Sequence, residues 1–163
     1  MKKTLDADLQ TVIHDAVKIA NKIRRRALKS RIFSELCESM DSKYTCLLYH
    51  SKVRWLSRGK VLARLYQLKE ELMVLNLFCK KTMRSAVMRS DDDWRAKLAY
   101  LADIFRYLNG VNTQLQGPSE NVITCTDKLT VFKDKITFWI TNLNAGRTEK
   151  MFPLFIILCV CVC

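Results

Sequence analysis

Ser57-Arg58-Gly59-Lys60-Val61-Leu62-Ala63-Arg64-Leu65-Tyr66-Gln67-Leu68-Lys69-Glu70-Glu71-Leu72-Met73-Val74-Leu75-Asn76-Leu77-Phe78-Cys79 is the stretch that decides the fold class. Val61, Leu65, Leu68, Leu72, Leu75 and Cys79 recur at spacings of 4-3-4-3-4. That period lays one apolar seam along a helix, whereas a strand would alternate every second residue. The seam lasts under three heptads, which suits a bundle better than a free coiled coil. Ser57 is a fitting N-cap, and the spacing predicts a helix from there to about Lys81. Residues 82–90 are a basic, polar connector.

The same rhythm continues downstream. Ser90 caps a helix whose first turn carries Asp91, Asp92 and Asp93, where carboxylates suit the positive end of the helix dipole. Its stripe is Trp94, Leu98, Leu101, Phe105, Leu108, Asn112 and Leu115. Gly117-Pro118 breaks the chain. Ser119 then caps a helix to about Asn144, with Val122, Cys125, Leu129, Phe132, Ile136, Trp139 and Leu143 as its stripe. Asn144-Ala145-Gly146 ends it.

Upstream, residues 5–26 read as a helix from Leu5, Leu9, Val12, Ala16, Ile19 and Ile23, with Ile13, Val17 and Ala20 widening the stripe. Thr4 is its N-cap. A second helix covers about Ser30–Met40, and periodicity does not decide whether it bends out of the first or stands apart. Cys46–His50 is too short for a helix and reads as extended. The expected fold is therefore all-α or nearly so, a long-helix bundle with one short extended segment near 46–50. Residues 1–146 form the helical unit and 147–163 an apolar tail.

The chain has only four glycines and two prolines, so long helices are permitted. Its net charge is +12. Residues 1–64 hold 15 Lys/Arg against 6 Asp/Glu, and residues 65–163 hold 13 against 10, so the excess lies in the first part. Such a balance attracts nucleic acid or an anionic membrane surface. The seven cysteines are not framed as a disulfide scaffold, and Cys37, Cys46, Cys79 and Cys125 read as buried, reduced thiols of an intracellular protein. No signal peptide is expected at Met1–Leu9. The basic run suits a nuclear address, with a cytoplasmic one as the alternative.

Two groups of residues carry functional interest. Lys22-Ile23-Arg24-Arg25-Arg26-Ala27-Leu28-Lys29-Ser30-Arg31 is either a solvated helix end or a phosphate-contacting patch, and on one helix Arg24, Arg25 and Arg26 diverge by about 100° each. Val53-Arg54-Trp55-Leu56-Ser57-Arg58-Gly59-Lys60 places a tryptophan beside arginines at an element boundary. Trp55 either plugs a gap between helices while Arg54 reaches water, or stacks on a base whose phosphate Arg54 holds. The candidate nucleic-acid-binding residues are thus Arg54, Trp55, Arg58, Lys60, Arg24, Arg25 and Arg26.

No metal or other cofactor is expected. Asp91–Asp93 diverge on a helix, whereas two-metal catalysis needs carboxylates converging from separate elements. His50 has only Cys46 near it in sequence. Met151–Cys163 is too short to span a bilayer. Its Cys159, Cys161 and Cys163 alternate with valine as a translated GT repeat would, so the tail reads as non-coding sequence carried in frame.

Three further blocks, Asp15–Ile19 with Arg26–Phe33 and Leu36-Cys37, then Leu47–Leu62, then Leu98–Phe105 with Leu115-Gln116-Gly117, complete a recognisable pattern, continued by Asp127-Lys128 and Phe132-Lys133. Together they resemble the domesticated hAT-superfamily transposases of animals, including the zinc-finger BED domain-containing proteins, over about residues 8–143. Arg54-Trp55-Leu56-Ser57-Arg58-Gly59 is the most specific part. The resemblance implies a fragment at the start of the helical insertion of an RNase H-like catalytic core. In active relatives three separated carboxylates hold two metal ions, and none maps onto this chain. The expected Cys-x-x-His upstream of the Arg-Trp pair is also missing. The resemblance does carry one pair over: Arg54 and Trp55 match the Arg-Trp that contacts DNA at a transposon end.

The expected function is therefore a truncated, catalytically inactive transposase-derived helical module with residual DNA binding. The alternatives are a protein-interaction scaffold that docks a partner or a second copy through its helical faces, and a remnant without a selected function. No membrane span is expected.

Overall fold

The computed structural model describes residues 6–50, 57–78 and 92–147. Six helices are described in the order α1 (Ala7–Arg24), α2 (Ala27–Ser39), α3 (Ser57–Gln67), α4 (Lys69–Phe78), α5 (Asp92–Leu115) and α6 (Val122–Asn144). No strand is present among these residues. The all-α expectation holds. Residues 46–50, the expected short extended segment, take no helix or strand and form an irregular link.

The core is built where the seams meet. Val61, Leu65, Leu68, Leu72 and Leu75 are all buried, and so are Val12, Ala16, Ile19 and Ile23 of α1 and Trp94, Leu98 and Leu101 of α5. α3 packs most extensively on α5, α1 lies against both, α2 rests on α1 and α4, and α6 leans on α5. Phe33 and Cys37 of α2 and Leu47 of the irregular link close the same cluster. Burial first, and then the Glu71 carboxylate, push the Cys37 thiol up to about 11, so it stays protonated at neutral pH. Cys46 and Cys125 are only half-buried.

Two boundaries differ from expectation and one open question is answered. α1 and α2, whose relation periodicity leaves open, are separate: Arg26 adopts an extended conformation (φ −110°, ψ 109°) and stands as the N-cap of α2. Its N–H reaches Ile23 O at 3.3 Å, tightening the last turn before the chain turns off. Nothing in Arg-Arg-Arg-Ala announces this, because all four are good helix formers. The third predicted helix is two helices interrupted at Leu68. The Leu68 N–H donates to Arg64 O and its carbonyl accepts from Leu72 N–H, both at 3.1 Å, so the heptad seam continues through the interruption. α6 begins at Val122, not at Ser119, because Asn121 forms a reciprocal cap. Asn121 Oδ1 accepts from Thr124 N–H (2.9 Å), and Thr124 Oγ1 accepts from Asn121 N–H (3.0 Å).

The largest departure is the packing of α6. Its 3-4 spacing predicts a buried stripe, yet Val122 is 83 % exposed and Leu129 50 %, and Ile136 is exposed as well. Among the α6 side chains described, only Trp139 is buried, 4.6 Å from the Tyr107 ring, in a small cluster with Tyr100 and Ile104. Near its start, Lys128 Nζ donates to Gln114 O (3.0 Å) and to Glu120.

Gly59 fixes the α3–α5 contact. A Cβ built there would lie 2.6 Å from Asn109 Nδ2 and 2.7 Å from Phe105 Cβ. Only a residue without a side chain lets the first turn of α3 approach α5 this closely.

Candidate functional site

The Gly59 contact delivers its neighbour Arg58 to a groove of about 910 Å³ between α1 and α5. The groove floor is apolar, made by Ile13 and Val17 of α1 and Leu101, Ile104, Phe105 and Leu108 of α5. Lys18, Arg25, Arg58, His14 and His50 bring positive or titratable groups to its walls, and no carboxylate lines it among the described residues. α1 and its C-cap Arg25 contribute lining residues from Gln10 to Arg25, a run of roughly 22 Å along the helix axis.

The irregular link is tied to this wall. Asn21 Oδ1 accepts from His50 N–H at 2.9 Å, and Asn21 Nδ2 donates to His50 O at 3.2 Å. These paired bonds satisfy both backbone groups of a residue in no ladder. The His50 ring is buried. Burial, and then the Arg58 charge, hold its imidazole below the ordinary histidine range, so it is neutral at pH 7. Tyr49 is exposed beside it: Arg25 Nη2 donates to Tyr49 Oη at 3.3 Å, and the guanidinium carbon lies 5.9 Å from the ring centroid.

The structure brings some predicted site residues together and disperses others. Arg25 and Arg58, 33 positions apart in sequence, line the same groove. Arg24 and Arg26 are exposed at the α1–α2 corner, where Arg24 Nη1 donates to Ser30 Oγ at 3.4 Å. Lys60 is exposed on α3. Arg54 and Trp55 lie outside the described residues. Two other basic residues of the first part are committed to the fold. The Arg64 guanidinium stacks 3.6 Å from the Tyr44 ring centroid and donates to Cys46 O at 3.0 Å, and the Lys29 ammonium is buried.

The acidic residues at the start of α5 serve the helix surface. Asp92 pairs with Arg95, and Asp93 with Lys97 at 2.6 Å; Lys97 also reaches Asp8 at 3.6 Å, joining the first turns of α5 and α1. Asp91 lies outside the described residues. Asp103, in the matched Leu98–Phe105 block, is fully buried and pairs with Arg106 at 3.3 Å. Among the described residues, no three or more His, Cys, Asp or Glu side chains gather as a metal site would need. No described helix is long and apolar enough to cross a membrane.

Sequence reasoning missed Lys18, His14, Asn21 and Tyr49. A signal for them was present in α1: Ile13 and Val17 widen its stripe beyond what one neighbouring helix covers. Ile104 does the same on α5, beside Leu101, Phe105 and Leu108 of its stripe.

Fold and site together describe a helical module, built on a glycine-mediated crossing and presenting a basic-walled groove. Residues 2–144 match the model of the FAM200/GTF2IRD2 helical domain, and the chain belongs to that FAM200/GTF2IRD2-like family, a transposase-derived one. No solved structure matches the chain.

Proposed function

We propose that this chain is a catalytically inactive, transposase-derived module that binds DNA with its basic corner. The observation that carries the reading is the α1–α2 break. It holds Arg24, Arg25 and Arg26 exposed at one corner, while Arg25 shares a groove with Arg58. Arg54 and Trp55, the pair the family resemblance assigns to DNA, precede Arg58 by only a few positions. Phosphates would meet Arg24, Arg25, Arg26, Arg58 and Lys60, and Trp55 would stack on an unpaired or distorted base. The non-catalytic part is supported by the acids of α5, which are engaged in helix-surface ion pairs rather than converging on a shared point. A nuclear location follows from the same function, and a cytoplasmic one would fit a scaffold.

A second reading, a protein-interaction scaffold, is favoured by one specific observation: the apolar residues of α6 that face solvent. The two readings separate in one experiment. Fluorescence anisotropy of the full chain on hairpin and mismatched DNA, across a salt series, should give steep salt dependence. Each arginine of the corner changed to Ala should reduce the log–log slope by about 0.9, and Trp55→Ala should weaken distorted DNA selectively. Salt-insensitive binding, together with a mass that rises with concentration in sedimentation, would instead assign the scaffold.

A further inference from the structure

The groove between α1 and α5 has an apolar floor that a phosphate backbone does not use. Its floor is a continuous apolar strip of Ile13, Val17, Leu101, Ile104, Phe105 and Leu108. A phosphate backbone gains nothing from such a strip, because its contacts are charged and hydrated. The charges lie on the walls: Lys18 from α1, Arg25 from its C-cap and Arg58 from α3. Ile104 and Val17 are half-buried, so the floor is open to a guest side chain.

We infer that this groove is a docking site for an acidic amphipathic helix from a partner protein. The two demands on the guest are independent, and one kind of segment meets both. Apolar residues at i, i+3, i+4 and i+7 would fill the floor, as in helix-in-groove recognition. Glutamates or aspartates flanking that stripe would meet Lys18, Arg25 and Arg58, with no carboxylate among the described lining residues opposing them. The α1 wall of roughly 22 Å accommodates about four turns of guest helix. His50 is neutral and bound to Asn21 through its backbone, so it shapes the wall without adding charge. Arg25 and Arg58 also belong to the DNA-binding corner, so partner and DNA would compete for them. Lys18 and the floor belong to the groove alone.

The probe is a fluorescein-labelled designed helix of about four turns, with leucines on one face and glutamates elsewhere, titrated against the full chain. Two control peptides accompany it, one with the leucines changed to serine and one with the glutamates changed to lysine. The Leu/Glu peptide should bind, and both controls should lose most of that affinity. Lys18→Glu, at an exposed position, should weaken binding roughly tenfold while leaving hairpin-DNA binding unchanged. Ile104→Ser, checked for folding by its thermal melt, should weaken it as well. Hairpin DNA should displace the peptide. Equal binding of the serine control would overturn the proposal, because the floor would then be idle. So would a loss of DNA affinity in Lys18→Glu matching the loss of peptide affinity, which would make the groove a nucleic-acid path. Absence of peptide binding to the folded chain would overturn it too.

Discussion

α3–α4 and α6 carry almost the same seam and meet opposite fates. Val61, Leu65, Leu68, Leu72 and Leu75 follow a 4-3 rhythm and vanish into the core. Val122, Leu129 and Ile136 keep the heptad interval and face solvent. Periodicity states that a helix has an apolar side; it does not state that anything covers that side. Coverage depends on neighbours. α3 has α5 and α1 against it and α4 has α2, whereas α6 has chiefly α5.

The comparison breaks first if equal truncations cost the same. Leu72→Ala removes a fully buried side chain and should cost about 2–5 kcal/mol in chemical denaturation. Leu129→Ala, half exposed on α6, should stay within about 0.5 kcal/mol. Equal losses would mean that α6 is covered in solution, which sedimentation would report as a second copy or a bound partner.

Two glycines sharpen the same contrast on a smaller scale. Gly59→Ala drives a methyl into Phe105 and Asn109 and should destabilise by about 1–3 kcal/mol. Gly110→Ala, inside α5 with nothing within 4 Å of the added carbon, should stabilise by about 0.5–1 kcal/mol. Thermal melts of the pair should therefore move in opposite directions.

The smallest effect is protonic. His50 has a folded-state pKa below its unfolded value near 6.5, so the unfolded chain takes up the proton first. Its contribution to stability is present above pH 6.5 and is lost as pH falls through the lower folded value. The Tm of the native chain should drop over that acidic window, and His50→Gln should flatten the dependence without moving the buried seam of α3–α4.

The parts legible in the sequence are those where period and partner agree. The seam from Val61 to Leu75 declares both its helix and its burial. The break at Arg26 is illegible because no glycine, proline or β-branched residue marks it; the turn is imposed by where α2 must lie to bury Phe33 and Cys37. The need for Gly59 is equally hidden, since the side chains it must avoid, Phe105 and Asn109, lie far along the chain. The groove escapes notice for a related reason. Ile13 and Ile104 look like ordinary core positions when each helix is read alone, and the site exists only in their pairing across α1 and α5. Arg25 and Arg58 read as candidate DNA contacts in the sequence, but only the fold shows that they share a wall.

The cap at Asn121 gives α6 a life somewhat apart from the rest. Asn121 and Thr124 close its beginning, Lys128 tethers it to Gln114 O, and Trp139 holds its far end against Tyr107. Between those moorings little apolar surface secures it. In hydrogen–deuterium exchange its backbone amides should label as one cooperative block while those of α3 remain protected, so α6 would open and close many times during a single global unfolding event.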